Sequence, residues 1–225
     1  MTTNNQTNQA TNNTTELVFI LDKSGSMAGM EKDTIGGFNS MIEKQKQAEG
    51  KTYVSTVLFS NASQILHDRK DVTEIAPLTE TDYRVGGGTA LLDAIGDTIS
   101  HIGSIHKYIR PEDVPQRTVF VITTDGMENV SRIYSHKHIK AMIKEQEEKH
   151  GWEFIFLAAN IDAGEVAESM GIRRERAVNY SVAEETTEMY EELGERLCCC
   201  RVMPMEEDFA AKFEERIKAR KQNKK

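Results

Sequence analysis

The sequence predicts an α/β fold, in which an open and mostly parallel sheet carries helices on both faces. Short, continuous apolar runs alternate along the 225 residues with longer segments of helical periodicity. The apolar runs are typical of strands that are buried on both faces. Strands that alternate with helices of this length imply right-handed crossovers, which place parallel strands side by side. A chain of this length is expected to form one substantial domain with extensions.

Five apolar runs are the predicted parallel strands. The first run, LVFILD, follows Glu16 and ends in Asp22. The four later runs lie at 52–60, 118–125, 153–160 and 176–181. Residues 62–76 have a different pattern, because two short apolar runs flank the polar stretch His-Asp-Arg-Lys-Asp. We therefore expect a hairpin at the edge of the sheet in that segment.

Four segments between or after these runs have the apolar periodicity of helices. They lie at 34–48, 90–108, 135–150 and 184–198. The C-terminal segment 204–225 is predicted to form a separate amphipathic helix with a basic end. Its apolar residues recur every four positions and are Met205, Phe209, Phe213 and Ile217. Such a helix either packs on the domain or frays in solvent, or it binds a partner protein.

The composition of the chain excludes several classes of function. Residues 1–15 are almost entirely Thr, Asn and Gln, which predicts a disordered leader before a domain at 16–200, with no secretory signal. No segment approaches the roughly 20 apolar residues of a membrane span. The formal net charge of -8 argues against a nucleic-acid partner. The adjacent Cys198, Cys199 and Cys200 are expected to be small buried or half-buried thiols in a reducing cytoplasm.

The first strand leads into a short loop with oxygen-bearing side chains. Asp22, Ser24 and Ser26 form a D-x-S-x-S pattern, in which Gly25 permits a tight turn. Ligands of open parallel sheets bind at the carboxyl ends of the strands, and a hard cation such as Mg²⁺ takes about six oxygen ligands. The loop therefore predicts a cation site, although the same residues are equally suited to cap the next helix.

Two further loops offer ligands of the same kind. Thr89 follows three glycines and opens the second predicted helix, while Asp125 closes a strand and is followed by Gly126. A nucleotide site is disfavoured, because neither a G-K-[ST] sequence nor a G-x-G-x-x-G after the first strand is present. The residues expected to gather one divalent cation are Asp22, Ser24, Ser26, Thr89 and Asp125.

The D-x-S-x-S loop, the later G-G-T and the T-D-G resemble the metal-ion-dependent adhesion site of von Willebrand factor A domains, of the intracellular bacterial type, over residues 16–200. The resemblance implies a Rossmann-like sheet with one antiparallel edge strand. It also implies that the three hydroxyls bind Mg²⁺, Mn²⁺ or Ca²⁺ directly, and that the two carboxylates bind directly or through water. An Asp or Glu of another protein would then complete the coordination of the ion. A rim that contacts this partner is expected at Met27, Gly88, Glu128 and Asn129.

The alternative is a Mg²⁺-dependent phosphohydrolase of the haloacid-dehalogenase type, which also begins with an apolar strand ending in Asp. That chemistry needs a nucleophilic carboxylate and usually a second Asp two residues later, where this chain has Ser24. No acidic pair follows Asp125, and no G-x-S-x-G sequence suggests a serine hydrolase. The sequence therefore favours a binding module that is not an enzyme.

Overall fold

The computed structural model describes residues 13–223, apart from the side chains of residues 182–185 and 223. Most of the predicted disordered leader at 1–15 lies outside the described residues. Its end differs from the prediction, because the first strand already begins at Thr14, which is buried and pairs with Lys51. No helix within the described part of the chain is long and apolar enough to cross a membrane.

A six-stranded sheet forms the centre of the domain. In chain order the strands are β1 (Thr14–Asp22), β2 (Lys51–Phe59), β3 (Ser63–Asp71), β4 (Arg117–Thr124), β5 (Glu153–Ala158) and β6 (Ala177–Asn179). Their order across the sheet is β3-β2-β1-β4-β5-β6, and each neighbouring pair is parallel except β2 and β3. The predicted α/β class and the single antiparallel edge strand are therefore confirmed.

Helices cover both faces of the sheet. They are α1 (Glu31–Gln47), α2 (Leu91–Tyr108), α3 (His136–His150), α4 (Ala163–Ser169), α5 (Val182–Cys200) and α6 (Phe209–Asn223). Single helical turns lie at Gly25–Met27, Val72–Glu74, Pro111–Asp113 and Arg174–Arg176. Helix α4 is not among the predicted helices, because its seven residues are too few to show a helical period.

Alternating side chains of the central strand β1 enter two separate apolar cores. Leu17, Phe19 and Leu21 pack in the core that α1, α5 and α6 cover. Val18 and Ile20 pack in the core that α2, α3 and α4 cover. Because both faces of β1 are buried, its sequence is a continuous apolar run. The loops after β1 and β4 then emerge side by side at the carboxyl edge of the sheet.

The predicted hairpin at 62–76 is wrong. Ser63–Asp71 forms the single strand β3, which turns back on β2 and pairs with it antiparallel. The polar stretch is part of the strand and not a turn, because an edge strand exposes one side to solvent. The register shifts next to Thr56, and Arg69 has a φ of 47°, which together mark a bulge at this edge.

The C-terminal helix α6 packs on the domain and shares its core. Phe209 and Phe213 are at most 1% exposed and belong to the same buried cluster as β1. The helix begins five residues later than predicted, because Arg176 donates hydrogen bonds to backbone carbonyls of the preceding segment. Ion pairs add to the packing, since the fully buried Glu192 of α5 lies 3.2 Å from Arg220 of α6. The predicted amphipathic helix is thus present, and of the alternatives it is packing on the domain that the structure has.

Helix α6 also lies against β6, the short strand at the second edge of the sheet. Its Glu214 accepts a hydrogen bond from the Asn179 backbone N–H at 3.4 Å. This edge of the sheet is therefore covered by the C-terminal part of the chain.

The three cysteines end α5 as free thiols. Cys198 is half-buried and its Sγ accepts a hydrogen bond from the Gln45 Nε2 at 3.2 Å. Cys200 is buried, and burial raises its pKa to about 12. Cys199 is exposed, contrary to the expected burial, because successive positions of a helix face different directions.

Candidate metal centre

The loop after β1 turns back at once and keeps two polar side chains inside the protein. Asp22 is 1% exposed, and its Oδ1 accepts a hydrogen bond from the Ser24 backbone N–H at 2.7 Å. Ser24 is equally buried, whereas Ser26 is exposed within the turn Gly25–Met27. The Tyr83 hydroxyl donates to the Asp22 carbonyl. Both the backbone and the side chain of Asp22 are thereby held in place.

The glycine-rich segment before α2 lies directly against this loop. The Gly25 N–H donates to the Gly87 carbonyl at 3.0 Å. Gly87 has a φ of 83°, and a Cβ at this position would come within 2.7 Å of the Asn61 side chain, so the position requires glycine. Because the two loops are joined backbone to backbone, the buried Thr89 comes close to the first loop.

The loop after β4 completes the group of oxygen-bearing side chains. The Ser26 Oγ donates to the Asp125 Oδ1 at 2.6 Å and lies 3.0 Å from the Ser24 Oγ. A Cβ on Gly126 would lie 3.1 Å from the Ser26 Oγ and 3.7 Å from the Thr89 Oγ1. The loops after β1 and β4 and the glycine-rich segment before α2 therefore bring together all the predicted ligand residues, which carry two carboxylates and three hydroxyls.

Three further residues, which the sequence motifs do not include, support the candidate ligands. The Thr124 Oγ1 donates to the Asp22 Oδ2 at 2.6 Å, and the Asn61 Oδ1 accepts from the Gly88 N–H at 2.7 Å. The third is Tyr83, which binds the Asp22 carbonyl. A signal for Thr124 is present in the sequence, since a threonine next to a strand-end carboxylate is a ready donor. Asn61 lies far from the motifs in sequence, and Tyr83 precedes the glycine run by three residues, but neither belongs to a pattern that predicts its contact.

Met27 does not lie at the surface, as a rim residue must. It is 4% exposed and belongs to the apolar core, because the helical turn after Ser26 directs its side chain inwards. Met127, which follows the third loop, is 62% exposed. Of these two methionines beside the candidate ligands, Met127 is therefore the exposed one.

The other predicted rim residues also have structural contacts. Asn129 is exposed, and its Oδ1 accepts from the Thr89 N–H at 2.9 Å, so it positions a candidate ligand. Glu128 is half-buried and accepts from the Leu92 N–H at 3.0 Å, at the start of α2. Gly88 is half-buried beside them. Their contact with a partner stays a prediction.

The site concentrates negative charge without a basic partner. None of the ion pairs between described residues includes Asp22 or Asp125. Burial raises the pKa of Asp22, and the nearby Asp125 raises it further, while hydrogen bonds from Thr124 and Ser24 oppose the shift. Burial also raises the pKa of Asp125, against the hydrogen bond from Ser26. Both carboxylates lack the compensation that a buried negative charge requires.

The donors that are present fit a hard divalent cation. Carboxylate and hydroxyl oxygens are suitable ligands for Mg²⁺, Mn²⁺ and Ca²⁺, and such an ion would supply the missing positive charge. Within residues 13–223, no group of three or more His, Cys, Asp or Glu side chains is arranged to hold a metal. The candidate set described above consequently depends on its three hydroxyls.

Known structures resemble this fold, although no family model and no curated protein matches the chain. The von Willebrand factor domain of the type V pili tip protein Mfa5 from Porphyromonas gingivalis gives a TM-score of 0.62 at 10% identity, over 84% of this chain and 96% of that one. A von Willebrand factor type A structure from Catenulispora acidiphila gives 0.54 at 12% identity, over 81% and 42%.

Proximal thread matrix protein 1 from the mussel byssus gives a TM-score of 0.56 at 14% identity, over 82% of this chain. The chain spans 46% of the length of that mussel protein. The strand order and these likenesses together show that the chain has the von Willebrand factor A fold.

Proposed function

We propose that this protein is a metal-dependent protein-binding module. One divalent cation, Mg²⁺ or in its place Mn²⁺ or Ca²⁺, is held at the carboxyl edge of the sheet and is completed by an Asp or Glu of another protein. The residues that hold it are Asp22, Ser24, Ser26, Thr89 and Asp125. The observation that carries the proposal is the buried pair Asp22 and Asp125, which no basic residue of the described chain compensates.

The ligand set explains why a bound cation would attract a partner. Three of the five ligands are neutral hydroxyls, so the set is too poor in charge to neutralise and saturate a divalent ion fully, and the ion stays electrophilic. A cation such as Mg²⁺ takes about six ligands, so five side chains leave a position for an outside oxygen. A carboxylate of a partner protein is well suited to that position, because it is charged and small.

Binding is favoured over phosphoryl chemistry. Asp22 is 1% exposed, and both of its carboxylate oxygens accept hydrogen bonds, so it is poorly placed as a nucleophile. Ser24 stands where a phosphohydrolase would have its acid–base carboxylate. Two of the similar structures are by name a pilus tip protein and a thread matrix protein, which agrees with a role in attachment or assembly. The three free cysteines favour a reducing, cytoplasmic location.

Thermal unfolding with Mg²⁺ and with a chelator tests the metal site. At a Mg²⁺ concentration of about one hundred times Kd, binding contributes about 2.7 kcal/mol, which raises Tm by roughly 5 to 10 °C for a domain of this size. Asp125→Asn should abolish this rise. Asp68→Asn is the matched control, since it removes an exposed acid that pairs with His101 on β3 and α2. Equal Tm values of the unaltered protein in Mg²⁺, Mn²⁺, Ca²⁺ and chelator would remove the proposal.

An assay with p-nitrophenyl phosphate in Mg²⁺ tests the absence of catalysis. We expect no turnover above the rate in buffer. Turnover that disappears in Asp22→Asn would instead support the phosphohydrolase.

A further inference from the structure

An open cavity of about 680 Å³ lies between α2 and α3, near the amino end of the sheet. It is remote from the candidate metal centre, because Pro115 and Trp152, which line it, precede β4 and β5 instead of following them. Cavities that bind small molecules have volumes of about 300 to 1,000 Å³ and are mostly apolar. The apolar side chains that line this one are Ile99, Val114, Pro115, Met142 and Trp152.

Three aromatic rings of the lining lie close to one another. The Trp152 ring stacks on Phe120 behind it, with the ring centroids 5.1 Å apart. The His106 ring meets Trp152 edge-on at 5.4 Å, and the His150 ring lies 6.4 Å from it. Trp152 is only 4% exposed, so a ligand reaches the edge of its ring. Contacts between ring edges and faces add to the gain from apolar burial, which favours an aromatic ligand.

Gly103 of α2 keeps the cavity open beside Trp152. Among the described residues outside its own helix turn, a Cβ at Gly103 would meet only the Trp152 Cη2, at 3.9 Å, which is an ordinary van der Waals distance. Both residues line the cavity. A larger side chain at this position would therefore occupy the space that a ligand needs without displacing a neighbour.

The imidazole of His106 is held in one orientation by a buried acid. Glu16 is fully buried, and its Oε2 lies 2.6 Å from the His106 Nε2. The second ring nitrogen of His106, Nδ1, consequently points away from Glu16. In the imidazolium form both ring nitrogens donate hydrogen bonds, so Nε2 can stay on Glu16 while Nδ1 donates to a ligand in the cavity.

The other charged side chains of the lining favour a negatively charged ligand. Lys107 and His150 line the cavity together with His106. Glu145 also lines it, but its carboxylate is paired with Lys149 at 2.7 Å. The basic groups therefore outweigh the acidic one, and a carboxylate would complement them.

We propose that this cavity binds a small aromatic carboxylate. The ring of the ligand lies between α2 and α3 against the edge of Trp152, and its carboxylate is bound by His106 and Lys107. The site goes beyond the proposed function and does not depend on it, because the candidate metal centre lies at the opposite edge of the sheet.

Calorimetric titration of the full chain with naphthoate tests this site. Saturable binding of one molecule with a Kd below about 1 mM is expected, equally in Mg²⁺ and in chelator. Trp152 is the only tryptophan of the chain, so its fluorescence should change over the same range of concentration. Naphthamide has the same rings without the charge, and it should bind at least about fivefold more weakly.

Gly103→Leu fills the cavity and should weaken the binding of naphthoate at least about tenfold. The matched control is Gly36→Leu, since Gly36 is an exposed residue of α1 at which a Cβ would meet nothing within 4 Å. This control should bind naphthoate like the unaltered protein, and urea unfolding verifies that both variants are folded.

Equal binding of naphthoate by Gly103→Leu and the unaltered protein would overturn the proposed site. Absence of saturable binding, or binding that leaves the Trp152 fluorescence unchanged, would overturn it without the use of any variant. Equal affinity for naphthoate and naphthamide would overturn the choice of a carboxylate. None of these outcomes bears on the proposed function, which is tested by Mg²⁺ and chelator alone.

Discussion

Both ends of β1 carry a buried carboxylate, and the protein compensates them differently. Glu16, near the amino end, is fully buried, and its Oε2 lies 2.6 Å from the His106 Nε2 and 3.3 Å from the Arg69 Nε. Asp22, at the carboxyl end, is 1% exposed and has only neutral donors in the hydrogen bonds described above, with Asp125 as a second acid nearby.

The difference separates a structural ion pair from the proposed metal site. At the amino end the chain supplies its own basic groups, so the buried charge is balanced in the folded protein. At the carboxyl end the chain supplies only oxygens, and under the proposed function a bound cation supplies the positive charge. Under the proposed function, stability and metal binding are divided between the two ends of one strand, and variants at each end should respond in opposite ways.

The largest expected effect is at the amino end. Glu16→Ala should lower the free energy of unfolding by about 3 kcal/mol, because it leaves Arg69 and His106 partly buried without their acid. Urea unfolding measures the change. Glu145→Ala, which breaks an exposed ion pair with Lys149 on α3, is the control and should change stability by less than about 0.5 kcal/mol. A similar loss in both variants would mean that the buried pair has no special role.

The second-largest effect is expected at the carboxyl end of β1, where a variant should change the free energy of unfolding in the opposite direction. In chelator, Asp22→Asn should leave the free energy of unfolding unchanged or raise it by about 1 kcal/mol, because it removes an uncompensated buried charge. In saturating Mg²⁺ the same variant should lack the stabilisation of about 2.7 kcal/mol expected for the unaltered protein at one hundred times Kd. Urea unfolding in both buffers decides the sign. If Asp22→Asn destabilises the protein in chelator as Glu16→Ala does, the carboxylates at both ends of β1 stabilise the fold, and the contrast between them is wrong.

A smaller effect is expected from the residue that orients Asp22. Thr124→Val removes the hydroxyl that donates to the Asp22 Oδ2 at 2.6 Å. Loss of such a supporting hydrogen bond weakens metal affinity by about tenfold, and Mn²⁺ titration followed by calorimetry can measure it. Thr118→Val is matched, since Thr118 is buried on the same strand but near its other end. Equal Mn²⁺ affinity in the two variants would contradict the role of Thr124.

The smallest effect on the free energy of unfolding is expected from Arg69, which contacts Glu16 at the amino end of β1. The Arg69 Nε donates to Glu16 while its Nη2 donates to the Asp113 carbonyl at 3.1 Å. A lysine cannot make both contacts from one planar group, so Arg69→Lys should lower the free energy of unfolding by about 1 kcal/mol. Arg174→Lys, in an exposed pair with Glu168, should show no measurable change in urea unfolding. Full stability of Arg69→Lys would show that charge alone is needed there.

The sequence was sufficient to predict the parallel sheet and the convergence of the candidate ligands. Strands buried on both faces are continuous apolar runs, and parallel strands must end at the same edge, so Asp22 and Asp125 could be placed together. The pair of Glu16 with His106 could not be predicted, since the two residues lie 90 positions apart and meet through tertiary packing alone.

Other misses have the same physical origin. The polar composition of β3 resembles a turn until the strand is known to lie at an edge. Met27 and Met127 both flank predicted ligands, and the direction of each side chain depends on the local turn and not on the residue type. The type and order of the strands and long helices could therefore largely be predicted from the sequence, whereas the direction of individual side chains could not.

The packing of α6 against β6 has a consequence for how the molecule meets other chains. An open strand edge offers unpaired backbone groups on which a second sheet can grow into a fibril. Here one edge lies beneath α6, where Glu214 binds the Asn179 N–H, and the other edge is bulged and rich in charged residues along β3. Addition of a further strand is therefore opposed on both sides of the sheet, which keeps it at six strands in the folded protein.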